Sequence, residues 1–167
     1  MATGSESLAA GQRWRWAFPP DPASCSTARR LVSMALAQAS VPGATREAVH
    51  TVVGELTANA VVHAATDFSV ALVIGAGTVR VEVFDADTHP PVLVGVDADA
   101  TSGRGVLIVA AMADEWGWRT AARRGMRGKV VWARWRTPAE GSTVIAFHRP
   151  LGRAAPRADR RGPRPTC

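Results

Sequence analysis

A chain of 167 residues with 47% apolar content can bury a single core and shows no internal repeat. Its two cysteines, Cys25 and Cys167, exclude a disulfide framework and a paired-cysteine metal site, and no apolar run approaches the ~20 residues that span a bilayer. The net charge of +6 rests on arginine, Lys129 being the single lysine, and the start lacks the basic-then-apolar pattern of a signal peptide, so a cytoplasmic protein with no membrane contact is expected.

Residues 1–11 read as a flexible start. Arg13-Trp-Arg-Trp-Ala-Phe18 alternates and is aromatic, which predicts a strand stopped by Pro19-Pro20. Ser24 or Ser26 is positioned to cap a helix over Ala28–Gln38 that ends near Pro42-Gly43. A second helix is predicted from about Thr45 to Ala65, with Val49, Val53, Leu56 and Ala60 as its core stripe. Glu55, Asn59 and His63 recur at four-residue spacing beside that stripe, while His50, Thr57 and Val61 point elsewhere. A carboxylate and a carboxamide among Val, Leu and Ala are costly to bury without a purpose. They suit a site that takes up a proton and holds a divalent cation.

Phe68–Ile74 and Val79–Phe84 form a hairpin around Gly75-Ala-Gly77, and Asp85 ends its second strand. Ala86–Ser102 has no period and reads as a loop. Gly103-Arg-Gly105 opens a short apolar helix, Val106–Met112, before two more strands, Glu115–Arg119 and Lys129–Trp135, joined through Gly125 and Gly128. The order predicts an α+β fold, a two-layer sandwich with helices on one face of a mixed, mainly antiparallel sheet. The folded domain is expected over 12–136. Residues 137–167 form a basic Pro/Arg-rich tail expected to be disordered. Such runs are commonly solvating, so nucleic acid is not the expected partner.

In chain order, Glu55-Leu-x-x-Asn59-Ala-x-x-His63-Ala, then Asp85 after Val-Glu-Val-Phe, then Gly103-Arg-Gly-Val-x-x-Val109 and Gly128-Lys-x-Val-Trp132 resemble the ATP-binding (Bergerat-type) fold of DNA gyrase, histidine kinases and MutL-type repair proteins. Within it they look most like the small single-domain branch of anti-sigma factor serine/threonine kinases. The resemblance implies ATP and Mg²⁺ as cofactors, Glu55 as the catalytic base and Asn59 as the Mg²⁺ ligand. It further implies Asp85 as acceptor for the adenine amino group, and Gly103, Arg104 and Gly105 around the phosphates. Lys129 and His63 fall among the nucleotide-contacting positions, though His63 reads more as a structural or pocket-edge residue than as a catalyst. The implied partners are an anti-sigma factor antagonist, phosphorylated on serine or threonine, and a sigma factor, with a homodimer plausible.

Two departures matter. The family's wider Asp-x-Gly-x-Gly is here Asp85-Ala-Asp-Thr-His, and Val130 stands about where the last strand often carries a threonine. They keep open an alternative: a catalytically weak nucleotide-dependent partner-switch module.

Overall fold

The computed structural model describes residues 3–8, 11–75, 77–91, 104–123, 125–137 and 157–158, with backbone alone at 3–8, 104 and 157–158. Five long strands make the body of one antiparallel sheet: β2 (Gly11–Phe18), β3 (Phe68–Gly75), β4 (Thr78–Asp85), β5 (Glu115–Arg123) and β6 (Met126–Arg136). Short strands β1 (Thr3–Leu8) and β7 (Arg157–Ala158) extend the two edges, giving the order β1-β2-β3-β4-β6-β5-β7. Only the β5–β7 pairing is parallel among them. The expected α+β two-layer sandwich is the observed one.

Both termini contribute a short edge strand. Thr3–Leu8 is a strand, because the unpaired edge of β2 offers it a ladder from Thr3↔Arg15 to Leu8↔Gly11. In the tail, Arg157–Ala158 pairs with Gly117–Trp118 at the opposite edge; the remainder of 138–167 lies outside the described residues.

Helix α1 (Pro22–Gln38) starts earlier than the sequence suggested. Asp21 is its N-cap, at φ −115° and ψ 136°, and accepts a 2.7 Å hydrogen bond from the Ala23 amide. Pro22 follows at the first helical position, where its missing N–H costs nothing. Ser24 is buried and Ser26 donates to the Ala23 carbonyl, so neither caps. Asp21→Ala is expected to cost about 1 kcal/mol in urea-induced unfolding; an unchanged midpoint would show the cap to be idle.

Helix α2 (Gly43–Asn59) runs along α1 and across β4 and β6. Val49, Val53, Leu56 and Ala60 are all buried as expected, joined by Val52. Thr57 is buried too, its hydroxyl donating to the Val53 carbonyl at 2.8 Å, which lets a polar side chain occupy an apolar contact. Past Asn59 the helix widens into a π turn, Ala60–Ala64, closed by Ala65 N–H to Ala60 O at 3.2 Å and ended by Ala65 at φ 49°. Helix α3 (Arg104–Met112) packs against α2 and β5.

The helices cover one sheet face. Val70, Leu72, Val79, Val81, Val83, Trp116, Val131, Ala133 and Trp135 join α1, α2 and α3 in one core. Residues of opposite parity, including Ala71, Arg80, Glu82, Val130 and Trp132, therefore lie on the other face. The β5–β6 hairpin is longer than the sequence suggested: its turn is at Gly125, φ 80°, so Gly128 is a strand residue paired with Ala121.

Candidate functional site

Glu55 and Asn59, one turn apart on α2, are half-buried and face the first turn of α3. A Cβ built at Gly105 would lie 2.9 Å from Glu55 Oε2, 3.2 Å from Asn59 Nδ2 and 3.5 Å from Asn59 Oδ1. The backbone of Gly105 is in no special conformation; what glycine supplies here is room. The space it leaves lets the start of a helix, with its amides lacking intrahelical partners, come up against a carboxylate and a carboxamide.

His63 lies in the π turn past Asn59, where it is exposed and its side chain makes no hydrogen bond among the described residues. Gly103 lies outside the described residues, and of Arg104 the structure gives only the backbone, at the first position of α3.

The second half of the site is at the end of β4. Asp85 pairs in register with Lys129 of β6 and projects to the helix side of the sheet. The Lys129 ammonium donates to Asp87 Oδ2 at 2.6 Å and to the Asp87 carbonyl at 3.5 Å, and forms an ion pair with Asp85 Oδ1 at 3.0 Å. Asp85 Oδ1 also accepts the Asp87 amide at 3.0 Å. All of these contacts fall on Oδ1, so Asp85 Oδ2 has no protein donor among the described residues. One acceptor atom of a buried carboxylate is thus left for a ligand.

Burial raises the Asp85 carboxyl above its ordinary range, and the Lys129 hydrogen bond and charge oppose that shift. Burial also works against the charge on Asp87. There the hydrogen bonds from Lys129 and from the backbone and ring of His89 prevail, and the carboxyl sits well below the usual range.

Val130 is buried on the opposite sheet face, across from Arg119 and Phe84, so this part of the strand offers Lys129 to the site. Gly128 makes the approach possible: a Cβ there would run into the backbone of Asp85 and lie 2.7 Å from Ala86 Cα. The Ala86 amide in turn donates to Thr66 Oγ1 at 3.4 Å, tying the end of β4 to the segment that leaves α2. Asp87 and Thr66 were missed in the sequence. Asp87 could have been suspected as the second acid of Asp85-Ala-Asp87; Thr66 carries no such signal.

Glu55 and Asn59 thus meet the start of α3, and the buried Asp85 ends β4 on the helix-covered face of the sheet. The family model of the histidine kinase-like ATPase domain matches residues 18–135. The chain belongs to that family. The match spans the sheet from the end of β2 to β6, both long helices, and the Glu55, Asn59, Asp85, Gly105 and Lys129 positions, and it supports ATP binding. No curated protein matches the sequence. Among the described residues no helix is long and apolar enough to cross a membrane.

Gly105→Ala tests the close approach. The clash is with side-chain ends, which can swing away, so unfolding free energy is expected to change by less than about 1 kcal/mol. The carboxylate and carboxamide must then leave their positions, and Mg-ATP affinity by calorimetry is expected to fall about tenfold, or about 1.4 kcal/mol. Full affinity in a folded variant would mean the pair does not border the ligand.

Proposed function

We propose that this histidine kinase-like ATPase domain is an anti-sigma factor serine/threonine kinase that phosphorylates a small antagonist protein and binds a sigma factor. The carrying observation is the contact of Glu55 and Asn59 with the Gly105 turn, which puts a proton acceptor, an oxygen ligand and backbone amides around one small space.

The residues present fit Mg-ATP. Among the described residues no group of three or more His, Cys, Asp or Glu side chains could hold a metal alone. A hard cation at Asn59 Oδ1 would therefore complete its oxygen shell from phosphate and water, as Mg²⁺ commonly does. Bound Mg-ATP supplies the transferable phosphoryl group and most of the charge neutralisation that its transfer needs. Glu55 takes the proton from the attacking serine or threonine hydroxyl. The amides opening α3 hold phosphate oxygens. Asp85 Oδ2 accepts from the adenine amino group, an edge guanine does not present as a donor, while Lys129 keeps the carboxylate ionised and aimed. Incubation with labelled Mg-ATP and candidate antagonists is expected to yield a serine or threonine phosphoester. ATP uptake without transfer to any of them would count against kinase activity.

The Asp85–Lys129–Asp87 arrangement also favours a second reading. Here the altered box after Asp85 is built as an ion-pair cluster, and nucleotide serves to stabilise a partner-binding state by linkage. Partner regulation that survives Glu55→Ala would support this reading; regulation that disappears with phosphotransfer would support the kinase.

A further inference from the structure

The sheet face turned away from the helices is paved with arginine. Strand parity and register place Arg13 and Arg15 of β2, Arg80 of β4, Arg134 and Arg136 of β6 and Arg119 and Arg123 of β5 on it. Beneath them lie Phe84 and Trp132, only 3% and 7% exposed though no second layer of structure among the described residues covers them. The guanidiniums themselves are the cover: Arg80 stacks 4.3 Å above the Trp132 ring and Arg123 5.3 Å from that of Phe84.

The acidic residues of this face are few. Glu82 sits among Arg80, Arg119 and Arg123 at 3.0, 3.5 and 3.6 Å, and Glu115 pairs with Arg134 at 2.6 Å. The backbone register also sets Glu6 of β1 opposite Arg13, whereas Arg15 lies between Thr3 and Ala71. Seven arginines of β2, β4, β5 and β6 against three glutamates leave a surplus of four positive charges (7 − 3) on one open face. Burial and the proximity of Arg15, Arg119 and Arg13 lower the Arg123 guanidinium from its ordinary value, a sign of how closely the cations crowd.

We propose that this open face is a docking surface for a protein partner presenting a cluster of carboxylates. Charge complementarity points to that occupant: Glu82 and Glu115 show guanidiniums of this face already gripping carboxylates, and Arg15 and its neighbours extend the same array outward. A second copy of the chain docked through the same face would set arginine against arginine. The chain's own tail carries six arginines against Glu140 and Asp159 after Pro138, so it brings the wrong sign. Nucleic acid fits less well, because the aromatic rings are sealed from stacking with bases and two glutamates would confront phosphates. The surface lies on the far side of the sheet from Glu55 and Asp85, and its use is independent of the kinase reading.

The probe is a fluorescent oligoglutamate peptide, titrated into the full chain at moderate salt, beside a labelled duplex DNA of equal charge. Arg13→Ser/Arg15→Ser alters two exposed side chains and is expected to weaken peptide binding about tenfold, while serine at the five tail arginines other than Arg157, which pairs with Gly117, leaves it unchanged. Arg119→Ser, on the other side of the face, is expected to act in the same direction, and circular dichroism checks each fold. Peptide binding untouched by the face variants, or abolished by the tail variant, overturns the proposal. So does DNA that binds more tightly than the peptide and is lost with the same face variants, which would make the surface one for nucleic acid.

Discussion

Glu55→Gln is expected to lower phosphoryl transfer by about 10²–10⁴-fold while Mg-ATP affinity stays within a few-fold of wild type. The amide keeps the size and hydrogen-bonding reach of the side chain against Gly105, so the close approach of α2 and α3 survives. It loses only the capacity to take up a proton. Phosphoryl transfer is otherwise positioning and electrostatics, and Asn59, Asp85 and the amides of α3 remain in place to provide both. Single-turnover measurement with labelled ATP separates the chemical step from nucleotide uptake, which calorimetry follows in parallel. Equal loss of binding and transfer would assign Glu55 to holding the nucleotide. Undiminished transfer would remove Glu55 from the chemistry and assign proton uptake to another group.

The two sides of the site were not equally legible in the sequence. The helical period marked Val49, Val53, Leu56 and Ala60 as core and set Glu55 and Asn59 beside them, because burial of one stripe is a local consequence of 3.6 residues per turn. Nothing in Ala60-Val-Val-His-Ala64 announces the π turn that follows Asn59. Near the sheet the signal was weaker. Strand β6 is apolar at consecutive positions, Val130 to Ala133, which hides the alternation by which faces are told apart. The physical cause is that Val130 and Trp132, on the open face, are roofed by arginines of other strands. Once Asp85↔Lys129 fixes the register, the parity is plain: lysine faces the site and valine faces away. That register depends in turn on Gly128 yielding space to the Asp85 backbone, a long-range fact that no local pattern carries. The Asp21 cap is the reverse case, a local signal overlooked because the serines inside the helix drew the cap inward.

Lys129→Met should destabilise the domain by about 3–5 kcal/mol at neutral pH, the usual consequence of removing one partner from a buried ion pair. The side chains of Lys129 and Asp85 are 8% and 6% exposed, so water cannot replace the lost ammonium, and methionine fills the volume without donating. Asp87, more exposed, also loses its 2.6 Å contact but can turn to solvent and His89. The sign of the pH dependence distinguishes this cause from simple loss of packing. Without Lys129 the burial that raises the Asp85 carboxyl is opposed only by the Asp87 amide. A carboxyl with a raised folded pKa binds its proton more tightly in the native than in the unfolded state, so stability declines as pH rises from the unfolded value of about 4 through the folded one. The variant's deficit against wild type should therefore be smaller at pH of about 4 than at about 7 in guanidinium unfolding. Adding Asp85→Asn should recover part of the loss at neutral pH, since a neutral amide no longer needs the ammonium. That double variant should remain poor in ATP uptake, because the amide can no longer serve adenine as an unambiguous acceptor. A deficit that is flat with pH and unrelieved by Asp85→Asn would show that Lys129 holds the β4–β6 corner by its alkyl chain, and that the Asp85 carboxylate is aimed by something else.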